Sequence, residues 1–125
     1  MKTIIATDQA PGAIGPYSQA VQANGFLFLS GQLPIDPVTS QMAYGGVGPQ
    51  AHQVLRNLKA ILAQEGLTFA NVVKTTVFLQ NMDDFAELNK VYGEYFNSEP
   101  PARSTVQVAR LPRDASVEIE LIAAY

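Results

Sequence analysis

Two ionisable residues near the C-terminal end of the chain have the types and positions needed to handle a small acid. Arg103 follows Pro100-Pro101 at the start of a predicted strand, and its planar guanidinium can hold a carboxylate through two parallel hydrogen bonds. The alternative is an ion pair between Arg103 and a neighbouring carboxylate of the chain, since such pairs are common. Glu118 can transfer a proton in a dry cleft, or can form the polar side of an amphipathic strand. Residue types alone leave both alternatives open.

Four further residues can line a binding site, and each also has a purely structural interpretation. Tyr17 can close a pocket or pack at the start of a strand. Ser30-Gly31 can offer a ligand a hydroxyl and a closely approachable backbone N–H, or can form a chain turn. Asn89, on a predicted helix, can orient a substrate or cap a loop.

The sequence contains no pattern typical of a metal or phosphate site. His52 is the only histidine and the chain has no cysteine, so a transition-metal site lacks its usual ligands. The cluster Gly45-Gly46-x-Gly48 is not followed by the Lys-Ser/Thr pair of a phosphate-binding loop. We therefore predict a protein that uses neither a metal nor a cofactor, with His52 on the surface of a helix.

Composition indicates one soluble domain over residues 1–125. A chain of 125 residues with 47% hydrophobic and 15% charged residues can bury a single core. Its net charge of -3 argues against a nucleic-acid partner, which requires clustered cations. The apolar runs are too short for a membrane span, and the absence of cysteine fits a reducing cytoplasm.

Periodicity predicts an α+β fold with the order β-β-α-β-α-β-β. The first helix begins at Val47 and stops before Gly66, and the second begins near Asp83 and ends before Pro100-Pro101. The predicted strands are 17–23, 25–30, 72–79, 102–109 and 116–124. Two helices then cover one face of the sheet. The other face is apolar and has no cover within the chain, so we expect contact with another subunit.

Strand alternation assigns the candidate residues to faces. Arg103, Thr105 and Gln107 share one side of their strand. Glu118 lies on the face opposite to Val117 on the last strand. A hairpin turning at 112–114 does not place Glu118 directly opposite Arg103, so the pattern leaves open how the two meet.

Several motifs occur in order along the chain and together resemble the RidA (YjgF) family. The similarity runs nearly end to end, and its motifs are Ala10-Pro11-x-Ala13-Ile14-Gly15-Pro16-Tyr17-Ser18-Gln19, Ser30-Gly31-Gln32-x-Pro34, Pro101-Ala102-Arg103-Ser104 and Val117-Glu118-Ile119-Glu120. The resemblance implies a chorismate-mutase-like fold and a homotrimer whose sheets form a central β-barrel. It also implies an active site in each cleft between subunits.

The same resemblance implies a reaction and roles for the candidate residues. The substrates would be 2-iminopropanoate and 2-iminobutanoate, hydrolysed to 2-oxo acids and ammonia without metal or cofactor. Arg103 would bind the substrate carboxylate, and Glu118 would position or activate the attacking water. The same cleft would be lined by Tyr17, Ser30, Gly31 and Asn89.

One position departs from the family pattern. Many relatives have Cys where this chain has Thr105. The exchange is harmless if the position acts through its main-chain carbonyl, whereas a required thiol would make the chain inactive. We favour the main-chain role, because a strand residue presents its backbone whatever its side chain.

Other functions have been linked to this family, and the sequence does not favour them equally. A ribonuclease needs positive charge to meet its transition state, and this chain is acidic with one histidine. A non-enzymatic module that binds small carboxylates would keep Arg103 but would not need Glu118. A protein-holding chaperone has no dedicated feature in the sequence.

Overall fold

A computed structural model describes residues 1–125 as one six-stranded sheet with two α-helices packed on one face. The sheet has the spatial order β1-β2-β3-β6-β4-β5. The strands are β1 (Thr3–Ile5), β2 (Ala20–Ala23), β3 (Phe26–Gln32), β4 (Val72–Leu79), β5 (Ala102–Gln107) and β6 (Val117–Ala124). The helices are α1 (Val47–Gln64) and α2 (Phe85–Tyr95), and three short 3₁₀ helices lie at 69–71, 82–84 and 112–114. The predicted α+β fold class, a sheet with two helices packed on one face, is confirmed, and the sheet is mixed.

The core lies between the helices and the inward side of the sheet. In α1 the apolar residues recur every three or four positions, which gives the helix one buried face; this face contains Ala51, Val54, Leu55, Leu58, Ile61 and Leu62. The helix ends where predicted, because Gly66 adopts a left-handed φ of 69° just after it. Strand residues Leu27, Val77 and Ile119 complete the core from the sheet and are 0% exposed.

The predicted hairpin between the last two strands is wrong, because β4 lies between them. Strand β4 pairs with β5 in parallel and with β6 in antiparallel orientation. Parallel neighbours require a crossover, and α2 supplies it between β4 and β5. The predicted turn at 112–114 is a short 3₁₀ helix in which Arg113 and Asp114 both have φ of 56°.

The N-terminal part of the sheet also differs from the sequence-based pattern. Strand β1 was not predicted, since its three residues Thr3–Ile5 are too few to show an alternation and only Ile5 is buried. Strand β2 begins at Ala20 rather than at residue 17, so Tyr17 precedes the sheet and belongs to a loop.

The second face of the sheet, which we call the open face, has no cover within the chain. Apolar side chains remain accessible along it, including Phe26 (40% exposed), Phe28 (43%) and Val106 (43%). Ile4, on β1, is also more than half exposed. No helix of the chain combines the length and the hydropathy that crossing a membrane demands.

Candidate functional site

The Arg103 guanidinium lies on the helix-facing side of β5 and points at α2. Its Nη1 donates a hydrogen bond to Asn89 Oδ1 at 2.8 Å, and its Cζ lies 4.7 Å from the centre of the Tyr92 ring and 5.5 Å from that of Phe85. The ion pairs of the chain involve His52 and Arg110 and not Arg103. The guanidinium therefore retains N–H donors for an anionic ligand, and the ion-pair alternative is not realised within the chain.

Tyr92 forms the floor beneath this guanidinium. Its hydroxyl hydrogen-bonds to Thr75 Oγ1 at 2.7 Å, and Thr75 is fully buried. Burial raises the pKa of Tyr92, although the Thr75 hydrogen bond and the Arg103 charge act in the opposite direction. The ring thus stays neutral at neutral pH, and its face is available to the cation.

Glu118 lies on the open face and lines a cavity of about 410 Å³. The cavity is formed by the end of β3, the start of β6 and the loops 11–17 and 111–115; its other lining residues include Pro11, Tyr17, Ser30, Gly31, Leu33 and Pro112. Four of the residues named from the sequence, Tyr17, Ser30, Gly31 and Glu118, therefore meet in one cavity.

The Glu118 carboxyl is both partly buried and close to another acid. Burial raises its pKa, and the charge of Glu120 two positions along the strand raises it further. A general base works best when its pKa lies near the working pH, and a raised pKa brings a carboxyl group closer to neutral pH. Glu118 is thus suited to accept and return a proton.

Gly31 makes room for this carboxylate. A bulge in the pairing of β3 with β6 falls between Leu29 and Gln32, and it turns Gly31 towards Glu118. A Cβ atom added at Gly31 would lie 2.9 Å from Glu118 Cδ and closer still to Oε2. Only glycine fits beside the carboxyl group in its present position.

The neighbouring polar groups are held by local hydrogen bonds. Ser30 Oγ donates to the Ser18 carbonyl at 2.6 Å, which leaves the hydroxyl oxygen free to accept a bond. The Ile14 N–H donates to the Tyr17 hydroxyl at 3.4 Å. Tyr17 itself is 51% exposed at the rim of the cavity.

Arg103 and Glu118 lie on opposite faces of the same sheet. On β4, Arg103 is paired with Thr75 and Glu118 with Phe78, so two strand spacings and three residues separate their Cα atoms, about 14 Å in all. Arg103 faces the helices, whereas Glu118 alternates with the buried Val117 and Ile119 and faces away from them. A single chain thus contains two separate clusters of candidate residues, which we call candidate half-sites: one with Arg103 and Asn89 and one with Glu118.

Thr105 shares the helix-facing side of β5 with Arg103. Its hydroxyl oxygen is the only buried side-chain nitrogen or oxygen atom of the chain without a hydrogen-bond partner. Leaving such an atom unpaired costs about 1–3 kcal/mol. The Thr105 hydroxyl group therefore lowers the stability of the chain rather than raising it.

Three amide side chains that the sequence did not single out hold the walls of the Glu118 cavity. The buried Gln19 bridges Thr7 and Pro11 through its amide, and Asn57 Nδ2 donates to the carbonyls of Leu33 and Ile35 at 3.1 and 2.9 Å. Gln80 accepts from the Leu111 N–H and donates to the Ala109 carbonyl. One sequence signal exists for Asn57, since a polar residue within the apolar stripe of a helix needs buried partners.

Comparison with known proteins places this geometry in a family. The family model described as Endoribonuclease L-PSP matches residues 7–125. The chain belongs to this family. The resemblance to RidA is confirmed, since the Rid family protein YyfA of Yersinia pestis has the same fold, with a TM-score of 0.97 and 47% identity over 100% of both chains.

Relatives within the L-PSP family carry different names. A mouse protein named 2-iminobutanoate/2-iminopropanoate deaminase is 50% identical over 98% of this chain and 91% of its own length. Protein DfrA of Myxococcus xanthus is 58% identical over 95% of this chain and 92% of its own length. The structure of Escherichia coli TdcF with bound serine aligns at 45% identity and a TM-score of 0.94, covering 98% of each chain. Membership of the L-PSP family therefore includes proteins named as imine deaminases without being restricted to them.

Proposed function

We propose that this protein hydrolyses small 2-imino acids to 2-oxo acids and ammonia, with 2-iminopropanoate and 2-iminobutanoate as substrates. The proposed enzyme is a cytoplasmic homotrimer in which one subunit supplies Arg103 and Asn89 and its neighbour supplies Glu118, Ser30, Gly31 and Tyr17. Two kinds of observation support it: the complementary half-sites on opposite faces of each chain, and the relatives of about 50% identity that are named as imine deaminases.

The observation that carries the proposal is the free guanidinium of Arg103. It lies on an aromatic floor with a neutral amide at one nitrogen and no carboxylate of its own chain. A planar carboxylate matches the remaining N–H donors in a bidentate arrangement. Binding of the carboxylate by Arg103 would thereby fix the position of the adjacent carbon, which is the reacting atom of a 2-imino acid.

The proposed reaction needs one base that becomes an acid. The Glu118 carboxylate accepts a proton from water as the water oxygen bonds to the imine carbon and the C=N bond becomes a single bond. Glu118 returns that proton to the nitrogen, which gives a carbinolamine. It then accepts the remaining hydroxyl proton as the C=O bond forms and delivers it to the nitrogen as the C–N bond breaks, so that ammonia leaves and Glu118 is again a carboxylate. General acid–base help of this kind typically gives about 10²–10⁴-fold acceleration.

The proposed reaction can be measured as release of ammonia from 2-iminopropanoate, generated in situ by an amino-acid oxidase. We expect the wild-type protein to accelerate release and the Arg103→Ala variant to lose the acceleration at equal concentration. Arg110→Ala is the matched control, because Arg110 is exposed and pairs with Asp114 at 3.0 Å outside both half-sites. A wild-type protein that gives no acceleration would rule the proposal out.

A non-enzymatic carboxylate-binding module is the second candidate, and the TdcF structure with bound serine is the observation in its favour. The Glu118→Ala variant separates it from an enzyme. An enzyme loses turnover and keeps affinity for the product 2-oxobutanoate, whereas in a binding module Glu118→Ala changes neither the ligand affinity nor any rate.

A further inference from the structure

The open face bears only three charged strand residues among its apolar and small side chains. Lys74 lies on β4, and Glu118 and Glu120 lie on β6; Lys74 is paired with Ile122, and Glu120 with Thr76. Lys74 and Glu120 are thus diagonal neighbours on adjacent strands, at a spacing within reach of long side chains.

These two opposite charges do not pair within the chain. Lys74 Nζ instead donates to Ser104 Oγ at 3.0 Å, across β4 towards the edge strand β5, and no ion pair of the chain includes Lys74 or Glu120. The ammonium group therefore leans away from Glu120 and towards the edge of the sheet. Glu120 lines the cavity that also contains Glu118.

A second copy covering the open face would remove both groups from water. Burying an unpaired ammonium or carboxylate is strongly unfavourable, whereas an opposite charge at the right place compensates for the lost hydration. The proposed assembly brings Arg103 of one copy to Glu118 of the next. One cation, Lys74, and one carboxylate, Glu120, are then left on each copy.

We propose that Lys74 of one copy forms an ion pair with Glu120 of the neighbouring copy, and that this pair sets the register in which the β5 edge of one copy meets the open face of the next. The inference rests on the proposed association of copies and not on the imine reaction. Apolar side chains such as Phe28 favour contact without fixing its alignment, while a charge pair penalises shifted alignments. The neighbour's ammonium also offsets the charge of Glu120 beside Glu118, so association and the chemistry of the cavity are coupled.

Charge reversal tests the ion pair without an activity assay. The Lys74→Glu and Glu120→Lys variants each place like charges together, and we expect each to weaken self-association by about 100-fold or more in Kd. The double variant restores opposite charges and should recover most of that loss. Sedimentation velocity over a dilution series measures the association.

Far-UV circular dichroism checks that each variant folds. The milder Lys74→Gln and Glu120→Gln variants replace any charge reversal that fails to fold. Lys59→Glu, on the exposed side of α1, is the control.

A zero-length carbodiimide crosslink distinguishes pairing between copies from pairing within one chain. Nitrogen-15-labelled and unlabelled chains are unfolded, mixed and refolded, and the peptide joined between Lys74 and Glu120 is analysed by mass spectrometry. Mixed-isotope peptides together with recovery in the double variant are the expected result. Single reversals that associate like the wild type, a double variant as weak as the singles, or joined peptides confined to one isotope would each overturn the inference. A failed ammonia assay would leave these results unaffected.

Discussion

The absence of a side chain at Gly31 allows the Glu118 carboxyl group to lie in its observed position. We expect Gly31→Ala to lower kcat/KM for 2-iminopropanoate by about tenfold or more, since displacement of a catalytic group by about 1 Å is costly. Because the atom displaced is the end of a flexible side chain, the free energy of unfolding should change by less than about 1 kcal/mol. Gly12→Ala is the control: Gly12 lines the same cavity, and a Cβ there meets no atom within 4 Å. Equal activity of the two variants would contradict the role given to Gly31.

The charge of Glu120 influences the protonation of Glu118 on the same strand. Burial and the Glu120 charge raise the pKa of Glu118 in the single chain, whereas the neighbour's Arg103 would act in the opposite direction in the proposed assembly. A base works only when it is ionised, so kcat/KM should fall as pH decreases through the pKa that results. Glu120→Gln removes one cause of the shift, and we expect the acid limb of the pH profile to move to lower pH. The profile is measured at protein concentrations that maintain association, with the exposed Glu94→Gln as control. A limb that stays in place or moves upward would show that Glu118 is not the titrating base.

Thr105 offers a test of the main-chain role favoured from the sequence. Its hydroxyl is buried without a partner, so Thr105→Val should raise the free energy of unfolding by about 1 kcal/mol. If the position acts through its carbonyl, Thr105→Val and Thr105→Cys should both keep kcat/KM within about threefold of the wild type. Urea unfolding and the ammonia assay give the two readouts, and a large loss of activity in Thr105→Val alone would assign the function to the hydroxyl.

At the scale of elements, buried amides attach the loops to the helices and strands. Asn57 is 1% exposed and, from the middle of α1, holds the carbonyls of Leu33 and Ile35, two residues that line the cavity. Asn57→Leu leaves those carbonyls unpaired, and we expect a loss of about 1–3 kcal/mol in unfolding free energy. Urea denaturation measures it, with the exposed Asn97→Leu as control. Equal stability of the two variants would show that the loop does not depend on Asn57.

The elements that could be predicted from the sequence are those whose signal is local. Helix α1, its end at Gly66 and strand β4 follow from apolar spacing and one left-handed glycine. The position of β6 between β3 and β4 could not be predicted in this way, since strand order depends on pairings between distant residues. The loop at 111–115 resembles a hairpin turn locally, although β5 and β6 are not neighbours.

The same distinction explains what the sequence revealed of the site. Residue types marked Arg103 and Glu118 only as candidates, since a guanidinium can bind a carboxylate and a carboxyl group can transfer a proton, and the resemblance to RidA supplied their proposed roles. Their placement on opposite faces depends on β4 lying between their strands. Gln19 and Gln80 could not be predicted as positioning residues, because the backbone groups that their amides bind are brought to them only by the fold.

For the whole molecule, opposite half-sites predict complementation between two inactive variants. Arg103→Ala and Glu118→Gln should each be inactive alone, since every site then lacks one group. After the two are mixed, unfolded and refolded together, random assembly of equal amounts should restore about one quarter of the wild-type sites. The ammonia assay measures the recovery, and the double variant Arg103→Ala/Glu118→Gln refolded with wild type controls for dilution. A mixture with no recovered activity would contradict a site shared between chains.

The position of Arg103 and Glu118 on two sides of one sheet also affects how this chain can change over time. In the proposed enzyme, substitutions around the guanidinium would alter which acids are held and substitutions around Glu118 would alter how protons move. The sheet separates these two surfaces. Duplicated copies that diverge on one surface alone would remain compatible with the ancestral chain on the other. Mixed assemblies of such copies would present several binding specificities around a single, unchanged proton-transfer apparatus.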